Sequence, residues 1–142
     1  MRAYELAIPL WIDTGEIAEM RHRLERATAR HPNFARGWYA LAYAYRGTHR
    51  PDLAILAYQV YITLRPDEAA PYFGLALAHE AAGENGKAEA ALRYYLARET
   101  DPARASFVDD ARAELGILLC KRALAALLRS QSNDDRPPAS VQ

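Results

Sequence analysis

One pattern of residues occurs twice in this chain at a spacing of 34. Trp38, Leu41, Ala42 and Tyr45 are followed by Ala54, Tyr58 and Pro66; 34 residues on stand Tyr72, Leu75, Ala76, His79, Ala88 and Leu92, with the proline displaced to Pro102. A fixed period of this length marks a chain built from stacked supersecondary units, none of which buries its apolar face alone. It also moves the functional question from a reaction to a partner.

Within each copy the phase is helical. Trp38, Leu41, Ala42 and Tyr45 fall at i, i+3, i+4 and i+7, one face of an α-helix. Asn33 is the expected N-cap and Gly47 the expected stop. Pro51 suits a first helical position, and Ala54, Tyr58 and Tyr61 share a face of a helix that ends before Pro66. Two such helices with a short turn form an antiparallel pair. In the next copy Asp67 is the expected cap. Gly83-Glu84-Asn85-Gly86 makes the turn, and Ala88, Leu92 and Tyr95 line the second helix.

A weaker copy fills residues 1–34, with Tyr4 in the place of Trp38, Trp11 in that of Tyr45, and Pro32 closing the unit. Pro9 lies inside its first helix, where a proline costs roughly 3 kcal/mol. Beyond Pro102 no proline or clear turn interrupts the chain before Arg129, so one long helix is expected over about 103–129, with Ser106 and Asp109 spaced as in a capping box. Val108, Ala111, Leu115, Leu118 and Leu119 form its main stripe. Ile117, Leu124, Leu127 and Leu128 form a second one, a candidate surface for self-association into a homodimer. The polar segment 130–142, with Pro137-Pro138, is expected to be a disordered tail.

These residues resemble the tetratricopeptide repeat. Its signature places Trp, Leu-Gly and Tyr in a first helix and Ala, Phe and Pro in a second; here Ala42 stands for the Gly and Tyr58 for the Phe. The resemblance covers roughly residues 1–102, as units of about 1–34, 35–68 and 69–102, with the last helix in the place of a terminal cap. It implies an all-α solenoid of about three helical hairpins. The mechanical reason is small against large: Ala42, Ala54, Ala76 and Ala88 let helices approach, and Trp38, Tyr45 and Tyr58 fill the space around them.

In such arrays the first helices line a concave groove. A position one step along a helix is rotated by about 100°, so the residues after the core stripe are the ones to face it. These are Arg36, Tyr39, Tyr43 and Arg46 in one unit, Ala70, Phe73, Leu77 and Glu80 in the next, and Arg2, Glu5, Ile12 and Asp13 in the first. The expected groove has an aromatic floor (Tyr39, Tyr43, Phe73), Leu77 and Ile12 beside it, and Arg36, Arg46 and Glu80 at its rim. Aromatic and Arg side chains of this kind are common hot-spot residues for peptides. The alternative is that Tyr39 and Tyr43 pack against a neighbouring helix, the C-terminal helix or a second subunit.

The resemblance implies a non-enzymatic adaptor that holds a peptide or protein segment. A second reading is a secretion chaperone: three repeats in so short a chain resemble the chaperones that hold type III secretion translocators before export, with a similar look at Tyr72-Phe73-Gly74-Leu75-Ala76. The usual landmarks of their third repeat are absent. A third is a self-associating scaffold subunit. Some relatives clamp the C-terminal carboxylate of heat-shock chaperones with Lys and Asn; Glu5, Pro9 and Tyr43 occupy those positions here, so that clamp is missing.

Other classes are poorly supported. The net charge is zero, whereas a nucleic-acid surface requires basic excess. Arg21, Arg23, Arg26 and Arg30 alternate with Glu19 and Glu25, the pattern of an exposed, salt-bridged helix. No two of His22, His31, His49 and His79 stand at i, i+4, which leaves no metal set and no cofactor expected. His79, in the place of the signature Tyr, is expected to pack with one nitrogen satisfied. No phosphate loop or nucleophile motif is present. Cys120, between leucines, is expected to be a buried thiol. With no signal peptide and no long apolar run, the expectation is a soluble, cytoplasmic protein without membrane contact.

Overall fold

In the computed structural model, residues 14–139 are described. The first helix expected in unit one lies outside them, together with the positions Arg2, Glu5, Ile12 and Asp13. Six α-helices follow in order: α1 (Thr14–Arg30), α2 (Ala35–Gly47), α3 (Pro51–Leu64), α4 (Ala70–Ala81), α5 (Asn85–Arg98) and, after a 3-10 turn at Pro102–Arg104, α6 (Ala105–Asp134). No strand occurs among the described residues. Helices α2 and α3 pair as a hairpin, as do α4 and α5, while α1 packs on α2, α3 on α4, and α5 on α6.

The period of 34 reappears in the burial pattern. The residues buried on α3 are Ala54, Ile55, Ala57, Tyr58 and Tyr61, and those on α5 are Ala88, Glu89, Ala91, Leu92 and Tyr95, each 34 further along. Ala42, Ala54, Ala76 and Ala88 are at most 1 % exposed, which is where helix axes come closest. Tyr58 is buried against the next hairpin, and a Cβ built on Gly74 of α4 would lie 2.3 Å from its hydroxyl. Its counterpart on α2 is Ala40, which belongs to a core cluster with Leu24, the residue in the place of Tyr58 one period earlier. Gly74 is therefore required by close approach.

Several local expectations are corrected. Asn33 and Asp67 do not cap: the N-cap residues are Phe34 and Ala69, neither with a side-chain cap hydrogen bond. The chain turns first, Phe34 N–H donating to the His31 carbonyl at 2.9 Å, and this moves the helix start past Asn33. Ser106 and Asp109 make no capping box either. Instead Asp101 accepts the Ala103 N–H at 2.9 Å and starts the 3-10 turn that leads into α6. Helix α6 runs on to Asp134, five residues beyond its expected end at Arg129. Its 30 residues span about 45 Å. Gly47 does end α2, but the left-handed residue of that turn is His49 (φ 57°), in the place where the next hairpin has Gly83 (φ 79°).

The basic run on α1 is only partly a solvated face. Arg23 is exposed and paired with Glu19, whereas Arg21 is buried beside Glu25, its Nε 3.6 Å from the carboxylate. His79 is buried as expected, but its Nδ1, 3.5 Å from Glu84 Oε1, makes no hydrogen bond, so the satisfied nitrogen expected there is not seen at this atom.

Candidate functional site: an open cavity between hairpins

Of the groove floor and rim expected from the sequence, seven residues are described, and three of these meet on one cavity. Tyr43 and Arg46 from α2 and Leu77 from α4 line a hollow of about 560 Å³, completed by Ile17, Gly47, His49, Pro51 and Ala81. Tyr43 and Leu77 occupy equivalent positions of successive units, 34 residues apart, so the period itself brings them together. The cavity lies at the turn end of both hairpins, and α1 contributes Ile17 as a side wall.

Arg46 is held in place from two sides. Its guanidinium carbon lies 5.8 Å from the centre of the Tyr43 ring, and Nη1 donates to Tyr58 Oη at 3.3 Å. Burial pushes the Tyr58 phenol above its ordinary pKa, against the opposing pull of Arg46, so it stays neutral. A cation over an aromatic face beside an apolar wall suits a ligand with an apolar side chain and a hydrogen-bond acceptor.

The remaining predicted groove residues are engaged in packing or pairing. Tyr39 meets Tyr61 edge-on at 5.0 Å and Tyr58 at 5.8 Å. Phe73 stacks on Tyr95 at 5.5 Å, the same pairing one period later. Each is half-buried against its own hairpin, so the aromatic floor is in part a seam between first and second helices. Arg36 lies near Tyr61, whose phenol is pushed far up by burial and by its hydrogen bond to Glu68. Glu80 is tied to α6, its Oε1 3.2 Å from Lys121 Nζ.

Glu80 also shares a hydrogen bond with Glu114 of α6, and this pairing splits the two carboxyls. The Glu114 carboxyl is raised to about 7 by the hydrogen bond to Glu80, with burial and Coulomb repulsion adding to it. That of Glu80 is lowered, chiefly by its bond to Glu114 and then by Lys121, against burial. A carboxyl with a raised folded pKa stabilises fully below its ordinary value of 4.5, and that contribution fades as pH rises through about 7. Glu80 acts in the opposite sense and lends its share above 4.5. The α4–α6 contact is thus firmest near pH 4.5 and weakens as the pH rises to about 7. Melting temperatures at pH 6 and pH 8 should show a fall that Glu114→Gln removes; an identical fall in the variant would assign it to other groups.

The α6 stripe is exposed: Ile117 by 48 %, Leu124 by 57 %, Leu127 by 63 % and Leu128 by 55 %. Cys120 is exposed as well, contrary to the expectation of a buried thiol. Its leucine neighbours misled because Cys120 lies about 200° round the helix from the buried Leu118, on the face turned away from the array. Among the described residues no group of His, Cys, Asp and Glu could hold a metal ion, and no helix is long and apolar enough to cross a membrane.

Comparison with solved structures places this architecture. The chain superposes on SycD, the type III secretion translocator chaperone of Yersinia enterocolitica, with a TM-score of 0.74 at 18 % identity, covering 86 % of this chain and 84 % of that one. The fold is similar to that of a secretion chaperone. SycD in complex with a peptide of the translocator YopD gives a TM-score of 0.72 at 18 % identity over 85 % of this chain and 92 % of that one. A chain of the CopN-Scc3 complex gives 0.65 at 18 % identity, over 79 % and 66 % of the two chains. No protein-family model matches the chain, and no curated protein sequence matches it. The likeness to SycD therefore rests on the all-helical architecture.

Proposed function

We propose that this chain is a tetratricopeptide-type, non-enzymatic binding protein that holds an extended segment of another protein across the cavity formed by Tyr43, Arg46 and Leu77. The observation that carries this reading is their convergence on one open hollow of about 560 Å³, a volume suited to one or two side chains of an extended peptide. Tyr43 and Leu77 supply the apolar surface. Arg46, anchored by Tyr58, supplies a fixed donor. Of the two binding roles, the chaperone is favoured over the general adaptor, because SycD, of similar fold, has been seen with a translocator peptide. The bound segment is then one that must be kept extended before export.

The test uses peptides of about ten residues selected for binding to the full chain. Fluorescence anisotropy should show the Tyr43→Ala, Leu77→Ala double variant weakened by roughly 30-fold or more, the effect of losing about 2 kcal/mol at a hot spot. Both residues are only half-buried, so helicity and melting should change little. Unchanged affinity in a folded double variant would contradict the reading. A secretion apparatus encoded beside the gene would separate the chaperone from the general adaptor.

A further inference from the structure

Three charges that the array covers have an opposite charge beside them. Arg21 is buried with its Nε 3.6 Å from Glu25. The side chains of Glu89 and Glu99 are each 8 % exposed, and they take Arg122 at 2.9 Å and Arg104 at 3.9 Å. Arg46 departs from this pattern. It is half-buried at the cavity, and its guanidinium meets only a neutral phenol and a ring: Nη1 donates to Tyr58 Oη at 3.3 Å, and the Tyr43 face lies 5.8 Å away. Among the described residues no carboxylate stands within ion-pair distance of it, and one of its five N–H donors is used. The equivalent position one period on is Glu80, which pairs with Lys121 of α6 at 3.2 Å and does not line the cavity. The wall holds no acid; its other polar side chains are Tyr43 and His49. Glu16 and Asp52 adjoin lining residues in sequence, but both are exposed and lie outside the wall. Helix dipoles favour neither sign, because α2 ends and α3 begins at this turn.

On the reading that Tyr43 and Leu77 hold an extended segment, we propose that this segment is acidic: it carries an Asp or Glu two residues from the apolar side chain seated on Tyr43 and Leu77, and that carboxylate pairs with Arg46. Desolvation is the reason. A segment lying across the cavity takes the guanidinium out of water, and a covered charge without a counter-charge is costly. A carbonyl or amide oxygen accepts a hydrogen bond but leaves the charge uncompensated. A carboxylate does both, and its two oxygens match the planar fork of the guanidinium. The spacing follows from geometry. Side chains at i and i+2 of an extended chain share a face and stand about 6.5 Å apart, close to the 5.8 Å between the Arg46 guanidinium and the Tyr43 ring. A side chain at i+1 faces away. Arg46 is thereby the residue that sets which apolar segments are accepted, while Tyr43 and Leu77 supply the apolar contact.

The probe is a library of random decapeptides selected on the full chain and, in parallel, on its Arg46→Gln variant, with melting to verify the fold. The parent should enrich Asp or Glu two residues from a large apolar residue. The variant should keep the apolar residue and lose the acid. In a peptide from the parent pool, replacing the acid by its amide should weaken binding to the parent about tenfold. The same replacement should leave affinity for Arg46→Gln unchanged, with Arg46→Lys between the two. Amidating the peptide's C-terminus should change nothing, because the carboxylate belongs to a side chain. Added salt should weaken the acidic peptide and spare its amide form, a readout that needs no variant. Enrichment of apolar peptides without an acid, or an equal loss in parent and Arg46→Gln, would overturn the proposal and leave the apolar cavity standing. A loss on C-terminal amidation would overturn it in favour of a chain end. Acidic peptides that bind the Tyr43→Ala, Leu77→Ala variant as tightly as the parent, or a library with no binders, would instead overturn the binding role of the cavity itself.

Discussion

Tyr58→Ala should cost about 3–5 kcal/mol, the range for truncating a buried aromatic side chain. Tyr58 is 1 % exposed and packs among Ala42, Ala54, Leu75 and Ala78, where the α2–α3 hairpin meets the α4–α5 hairpin. In an array stabilised by neighbour contacts, loss at a junction weakens both sides. Tyr58→Phe keeps the ring and loses the hydrogen bond from Arg46, which is worth about 0.5–1.5 kcal/mol. The ring thus outweighs the hydroxyl. Gly74 provides the control. Gly74→Ala gains up to about 1 kcal/mol in helix propensity but drives a methyl into the Tyr58 ring, and overpacking costs about 1–3 kcal/mol. With Tyr58→Ala in place the obstruction is gone, so the two changes should be less than additive in denaturant unfolding. Additive losses would show that the two residues do not oppose each other.

Leu118→Ala should cost about 2–5 kcal/mol and release α6 locally. Leu118 is 1 % exposed and meets Ala91, Leu92 and Tyr95 in the last core cluster. The ion pairs that also tie α6 down, Lys121 with Glu80 and Arg122 with Glu89, each have one member more than half exposed, and such pairs contribute about 1 kcal/mol or less. Apolar contact therefore holds the last helix, and the ion pairs set its orientation. Hydrogen exchange should show amides of α6 losing protection while α2 and α3 keep theirs. An equal loss throughout would mean that the array opens as one unit, and no loss would mean that Leu118 is not the anchor.

The period was legible because it depends on residue size at fixed positions. Ala42, Ala54, Ala76 and Ala88 stand out in any sequence that alternates them with Trp, Tyr and Leu, and the structure buries all four. Tyr39 and Phe73 were harder. A rotation of one step separates the core stripe from the groove in an ideal helix, but a long ring at that step reaches the second helix, and both rings do so, onto Tyr61 and Tyr95. Tyr43 and Leu77, one turn further along, have no such partner ring and line the cavity. The pairing of Glu80 with Lys121 and Glu114 joins positions far apart in sequence and has no local signature. The fate of Cys120 depends on which face of α6 meets the array, and its leucine neighbours do not reveal that.

The central claim is that an extended segment lies against Tyr43 and Leu77. Methyl NMR of the full chain, with leucine methyls labelled and a selected peptide added, tests it most directly. The account predicts that the Leu77 methyls shift on binding while those of Leu118 in the core and Leu56 on α3 stay in place. Shifts at Leu56 or along Leu124 and Leu128, with Leu77 unmoved, would place the bound segment elsewhere and contradict the account.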